Sequence, residues 1–347
     1  MAYTPGVADP CLAISKNSED VYKYTMKGNT VAVISNGTAV LGLGNIGARA
    51  SIPVMEGKAL LFKQLGGVNA FPICINEKDP VKLVEIIASL EPVFGGFNLE
   101  DIKSPECFYV ERELKKRLSI PVMHDDQHAT AIVVSAGLIN ALKLAGKGKE
   151  VKIVIQGAGA AGNAVTKLLI KQGFKNIIVV DKKGILDRDQ HYEDEFKKEL
   201  AELTNHHNFK GPIDVALKDA DVLIGLSGPN SISKSQLSLL TKTNPIVFAL
   251  ANPIPEISIE DAKSLGITLI ATGRSDLPNQ INNVLAFPGI FKGVFQYGKK
   301  EITDEMKINA AKAIAKLIKQ EELNPDYFIP RVFNKRVVKA VARAMKK

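Results

Sequence analysis

Two pairs of acidic residues stand directly behind short apolar runs. Val93-Phe94-Gly95-Gly96 leads into Asn98-Leu99-Glu100-Asp101, and Pro121-Val122-Met123-His124 leads into Asp125-Asp126. Open α/β sheets bind ligands just beyond the carboxyl ends of their strands, so these are positions where a site is expected. Adjacent carboxylates repel one another, and turning both inward makes sense when a cation neutralises them. An all-oxygen set with few histidines suits Mg²⁺ or Mn²⁺ rather than zinc. Each pair alone is equally consistent with a helix cap, Asp101 for the stretch 102–118 and Asp125 or Asp126 for the helix after it. Two such pairs in one half of the chain tilt toward a metal. His124 and His128 flank the second pair and are expected as hydrogen-bonding supports, and His206-His207 as exposed.

Two stretches match G-x-G-x-x-G: Gly157-Ala158-Gly159-Ala160-Ala161-Gly162 and Gly42-Leu43-Gly44-Asn45-Ile46-Gly47. The first follows the buried-strand pattern of residues 151–156 and opens an apolar helix. The next strand ends on Asp181, 24 positions after Gly157. That is close to the ~20 residues separating the glycines from the acid that grips the ribose hydroxyls of a dinucleotide. Glycines admit the pyrophosphate, and the helix N-terminus supplies amide donors and a partial positive charge. Asp181 disfavours a 2′-phosphate and so leans the choice toward NAD, with Lys182 and Lys183 offsetting part of that. The Gly42 copy lacks an acid at the right distance and is expected as a tight turn bringing backbone close to something, such as a small anion.

Strands and helices must position these groups. Strand patterns occur at 30–35, 40–43, 68–75, 93–96, 121–124, 151–156, 176–181, 221–225, 245–250 and 267–271. Amphipathic stretches lie between them at 80–90, 105–118, 129–144, 160–172 and 259–265. Apolar-throughout strands alternating with helices indicate buried parallel sheets, hence an α/β protein. The polar, Gly-rich stretch 146–150 precedes a strong new strand, so the domains are expected as 1–127, a parallel-sheet domain, and 128–347, a Rossmann-type doubly wound domain with C-terminal helices. A long helix is expected to bridge them.

The chain has 347 residues, 46% hydrophobic and 24% charged, which excludes a largely disordered or collagen-like protein. Its net charge of +8 suggests an acidic macromolecular partner, but the last fifty residues hold 13 Lys/Arg against 6 Asp/Glu and so carry about +7 of it. That basic tail is expected as the solvated or subunit-facing side of terminal helices, with no nucleic-acid partner. Cys11, Cys74 and Cys107 show no paired spacing and are expected as small apolar residues in a cytoplasmic protein. No leader segment is expected, and no apolar run near the ~20 residues of a membrane span.

Taken in order, the motifs resemble those of the malic enzymes, over nearly the whole chain. Tyr3-Thr4-Pro5-Gly6-Val7-Ala8, the segments 36–47 and 53–58, Asn98-Leu99-Glu100-Asp101, His124-Asp125-Asp126-Gln127-His128, and the asparagine segments 248–253 and 280–284 are all similar to that family, in its small bacterial form. The resemblance implies oxidative decarboxylation of L-malate to pyruvate and CO₂ by a cytoplasmic homodimer using NAD or NADP with Mg²⁺ or Mn²⁺. It implies Glu100, Asp101 and Asp126 as metal ligands, Lys58 as general base, oriented by Asp125, and Tyr3 as general acid. Gly157, Gly159, Ala160, Ala161, Gly162 and Asp181 would hold the dinucleotide, while Asn252 and Asn283 would contact substrate and the nicotinamide side. A lysine beside a cation and partly buried is expected to have a lowered pKa. Two departures stand out. Ala39 occupies the place of an arginine that clamps malate in longer members, and only Met1 and Ala2 precede Tyr3. The latter implies a poorly held tyrosine and raises the alternative of a catalytically impaired dinucleotide binder. A malolactic-type or other metal-assisted 2-hydroxyacid conversion is a separate alternative within the same enzyme class.

Overall fold

The computed structural model describes residues 3–40 and 42–346. Two parallel sheets organise it. The first contains β1 (Thr30–Ser35), β2 (Asn69–Cys74), β3 (Gly96–Leu99) and β4 (Val122–His124) in the order β2-β1-β3-β4. Every residue of β1, Thr-Val-Ala-Val-Ile-Ser, is buried, because helices cover both faces of the sheet. Among these helices are Gly47–Leu61, Pro80–Ala88 and Glu106–Arg117. Asp79 starts the second of them, its carboxylate accepting from the Val81 and Lys82 amides while Pro80 occupies the first turn.

The second sheet contains β5 (Ile153–Gln156), β6 (Ile177–Asp181), β7 (Gly184–Ile185), β8 (Val222–Gly225), β9 (Ile246–Ala249) and β10 (Leu269–Thr272), ordered β10-β9-β8-β5-β6-β7. All neighbours are parallel except β6 and β7. The order reverses about β5, which has β6 on one side and β8 on the other, so the crevice expected of a doubly wound sheet opens at the end of β5.

The α/β architecture agrees with the sequence patterns, with four local differences. Residues 40–43 form no strand. A tight turn occupies the place, closed by a bridge between Val40 and Gly44, with Leu41 outside the described residues. The third strand lies at 96–99 instead of 93–96, since Val93 is exposed while Gly96 to Leu99 are all buried. The short edge strand β7 was not expected. The helix expected from residue 129 begins at Asp125, because apolar periodicity does not register its polar first turn.

That helix, Asp125–Ala145, overturns the expectation about apolar runs. It has 21 residues and is apolar enough to match a membrane span by length and composition. Its apolarity has another cause. Most of it is buried, packed against helices Ala160–Lys171 and Asp304–Ala315, so it is apolar nearly all round. Its first turn abuts β4 of the first sheet, and residues from both sheets join one continuous core around it.

The C-terminal part also crosses between halves. In helix Phe287–Gln296, Phe287 and Phe291 pack their rings 4.6 and 5.5 Å from Phe62, which follows the helix Gly47–Leu61. The tail is not wholly solvated: Lys307, in helix Asp304–Ala315, is 5% exposed. The cysteines divide. Cys107 is buried as expected, Cys74 half-buried, but Cys11 exposed.

Candidate active site

A cleft of about 490 Å³ opens where the carboxyl ends of the two sheets face each other. Lys58 enters from helix Gly47–Leu61, Glu100 and Asp101 follow β3, and Asp125 and Asp126 begin the central helix after β4. From the second half come Ala161, Asn252 and Asn283. Residues separated by more than 200 positions therefore line one space.

Lys58, only 8% exposed, is its electrostatic centre. Its ammonium donates to Asp125 Oδ2 at 2.6 Å and lies 2.6 Å from Glu100 Oε2, with the Phe287 ring centroid 4.4 Å away. Burial lowers the Lys58 pKa, but the Asp125 and Glu100 carboxylates outweigh it and raise it above the ordinary lysine value. The expected lowered pKa is therefore reversed for the protein groups alone, because that expectation weighed a cation and left out two carboxylates at contact distance. Burial holds the Glu100 carboxyl well above the usual range. The Lys58 ammonium pulls it down, and Asp125, Asp126 and Asp101 push it back up.

Four carboxylates thus face one ammonium. One oxygen each of Glu100, Asp101 and Asp126 lie within 4.8 Å of one another. Buried Asp125 Oδ1 has no hydrogen-bond partner among the described residues. A hard divalent cation fits this all-oxygen set and would relieve its repulsion. The capping alternative fails for Asp101. Helix Glu106–Arg117 is preceded by Pro105 at its cap, and Asp101 instead adopts φ 52° and donates its amide to Asp126 Oδ2 at 3.0 Å. Asp125 and Asp126 occupy the first turn of their helix but make no side-chain cap.

Asn283 Nδ2 donates to Asp125 Oδ2 at 2.9 Å while its Oδ1 accepts from Thr130 at 3.0 Å. Asn252 lines the cleft close to the Gly42 turn: a Cβ on Gly42 would meet the Asn252 carbonyl oxygen at 2.6 Å. What the second glycine turn admits, among the described residues, is thus the backbone of the other half of the protein. Thr130 and Phe287 escaped the sequence patterns, as an ordinary helix threonine and a core aromatic. Tyr3 is not part of the cleft. It is 79% exposed, and the helix after it, Ala8–Lys16, has no buried residue.

The dinucleotide features assemble as expected at the end of β5. Gly157 has φ 119°, Gly159 caps helix Ala160–Lys171, and the first intrahelical amide bond is Asn163 to the Gly159 carbonyl. The amides of Ala160, Ala161 and Gly162 are thereby left without an intrahelical partner. Asp181 ends β6, accepting from the Lys183 amide at 2.7 Å and pairing with Lys197 at 2.6 Å. Lys197, sixteen positions on, is the cation that offsets its charge.

His128 is the support that its spacing suggested: Nε2 lies 2.9 Å from Glu111 Oε2, and Glu111 Oε1 accepts from the His124 amide at 3.0 Å. Burial pushes the His128 pKa down to about 4, with Lys307 and Lys115 adding to the shift and Glu111 opposing it. A depressed folded pKa contributes stability that is present above the unfolded value near 6.5 and lost as pH falls through about 4. The melting temperature of wild type is expected to fall more steeply between those pH values than that of His128→Gln. Parallel curves would refute this.

The fold and cleft together define a two-domain α/β enzyme that sets a basic and acidic cluster opposite a dinucleotide-binding turn. Family models agree: "Malic enzyme, N-terminal domain" matches residues 1–115, and "Malic enzyme, NAD binding domain" matches 127–347. The chain is 52% identical over 344 residues to the NAD-dependent malic enzyme of Geobacillus stearothermophilus, covering 99% of this chain and 72% of that one. It is 53% identical to the bifunctional malic/malolactic enzyme of Bacillus subtilis, covering 100% and 85%. Among solved structures, the NAD-dependent malic enzyme of Thermotoga maritima superposes with TM-score 0.95 at 47% identity, covering 99% and 91%. The chain belongs to the malic enzyme family.

Proposed function

We propose that this protein oxidatively decarboxylates L-malate to pyruvate and CO₂ with reduction of NAD or NADP. The observation that carries the proposal is the single cleft in which Lys58 and the acidic cluster face the dinucleotide turn. Glu100, Asp101 and Asp126 would hold Mg²⁺ or Mn²⁺, which would polarise the C2 oxygen of malate and offset the charge of the carboxylates. Lys58 accepts the C2 hydroxyl proton as the C2 hydrogen leaves as hydride for the nicotinamide. To do so it must first give up its own proton, and Asp125 and Glu100 are both within 2.6 Å. Loss of CO₂ leaves enolpyruvate, whose C3 is protonated to give pyruvate.

Tyr3 is the proposed acid for that last step. Its exposure in the single chain, with an unburied helix behind it, supports a homodimer in which a second copy brings the tyrosine to a cleft. Asn252 and Asn283 are proposed to orient substrate and nicotinamide, the latter while steering Asp125. Asp181 supports NAD over NADP, and the two domains are proposed to divide at 127/128.

The test is nicotinamide reduction with L-malate and Mn²⁺, run separately with NAD and NADP. A strong chelator is expected to abolish turnover and added Mn²⁺ to restore it. Turnover unchanged by chelation would reject the metal assignment. The name of the Bacillus subtilis relative favours a second reading, conversion of malate to lactate, and product analysis for lactate against pyruvate separates the two.

A further inference from the structure

A second cavity, of about 470 Å³, lies on the other side of the central helix's first turns. Asp125, Asp126 and Thr130 line the active-site cleft, whereas Gln127, His128 and Ala131 line this cavity. Its remaining walls come from helices Glu106–Arg117, Ala160–Lys171 and Asp304–Ala315, with Phe196 beside them. No residue assigned above to substrate, metal or dinucleotide reaches it.

The walls are unequal in charge. Six lining side chains are Lys or Arg and two are carboxylates, Glu111 and Asp304. The best-buried cation is Lys307, whose ammonium donates to Asp304 at 3.0 Å. Burial lowers its pKa and the neighbouring Lys115 lowers it further, against the pull of Glu111 and Asp304. Arg112, Lys115, Lys116 and Lys167 are paired with Glu195, Glu111, Glu113 and Glu199, whereas Lys307 shares Asp304 with Lys171. Gln127, 4% exposed, brings a buried amide Nε2 with no hydrogen-bond partner among the described residues. A buried donor left without a partner is destabilising, and a ligand acceptor would satisfy it. Phe108, Phe196 and Leu168 form an apolar side, the two rings 4.3 Å apart at their centroids, with Arg112 and Lys167 over the Phe196 ring at 5.7 and 6.0 Å.

We propose that this cavity is a second binding site, separate from the catalytic cleft, for a small organic anion. The head group, phosphate or carboxylate, meets Lys307, Lys115 and the Gln127 amide, and a flat apolar body rests against Phe108 and Phe196. Such a ligand matches both walls, where an inorganic anion would leave the aromatic side empty.

Calorimetric titration of the intact enzyme with phenyl phosphate, benzoate and inorganic phosphate tests this. Phenyl phosphate or benzoate is expected to saturate one site at least tenfold more tightly than inorganic phosphate, and whichever binds more tightly names the head group. Lys307→Met removes the buried cation at similar volume, and Ala164→Leu fills space from the Ala160–Lys171 side. Each is expected to weaken binding tenfold or more while the melting temperature shows the protein folded. Absence of saturable binding up to about 10 mM, which is weaker than ~3 kcal/mol of affinity, would overturn the proposal. So would affinity unchanged in both variants, because the probe would then occupy the cleft or the glycine turn.

Discussion

Lys58→Ala is expected to lower kcat for L-malate by about 10²–10⁴, the range that one positioned acid–base group supplies. The reason is specific to the cleft. Lys58 is the cleft's nearest base to the acidic cluster, and Asp125 and Glu100, both 2.6 Å away, fix its direction and can receive its proton. The substitution has a second consequence that separates catalysis from packing. The ammonium and a divalent ion compete for the Glu100 carboxylate, so removing the ammonium is expected to leave Mn²⁺ bound as tightly as in wild type or more tightly. Without metal the variant is also expected to melt earlier, because Asp125 and Glu100 lose the one cation that contacts them among the described residues and a broken buried pair costs several kcal/mol. Mn²⁺ titration by electron paramagnetic resonance, run beside steady-state kinetics, reads both effects. A variant that loses turnover and Mn²⁺ affinity together would show Lys58 to be structural, and one with wild-type turnover would remove it from the reaction.

Much of this arrangement was legible in the sequence because the physics is local. Strands β5 and β6 announce themselves by apolar runs, and the turn after β5 by three glycines at fixed offsets with Asp181 behind them. The acidic pairs stood out because each follows a strand, and the structure brings them to one face. Interactions between distant segments were not legible. Nothing near Lys58 in sequence reveals that Phe287 packs under it or that Asn283 shares Asp125 with it. The raised Lys58 pKa of the protein groups alone depends on two carboxylates 42 and 67 positions away, which no local pattern around Lys58 reveals. Lys197 beside Asp181 is a case of the same kind. The early start of the central helix was hidden because its first turn is polar, and the turn is polar because it carries Asp125 and Asp126. Tyr3 is the reverse instance. A motif drew attention to it, yet the chain leaves it 79% exposed.

Two glycines of one motif are expected to respond to the same mutation in different ways. A Cβ on Gly162 would lie 1.8 Å from the Gly157 carbonyl oxygen, backbone against backbone, with no flexible side chain to give way. Gly162→Ala must push helix Ala160–Lys171 off β5. The expected destabilisation, about 3 kcal/mol or more, is at the upper end for overpacking, and the turn that presents the Ala160 and Ala161 amides is lost with it. Gly159→Ala is different. Its Cβ would meet nothing within 4 Å, and its φ of −83° is open to any residue. That protein is expected to fold with a wild-type melting temperature. The space it fills is the space beside the first-turn amides, where a pyrophosphate would approach the backbone, so NADH affinity is expected to fall tenfold or more. Melting curves and NADH fluorescence titrations on both variants separate a glycine required by the protein from one required by its ligand. If Gly159→Ala binds NADH like wild type, the pyrophosphate does not pass over this turn, and the dinucleotide assignment of residues 157–162 fails while the packing explanation of Gly162 stands.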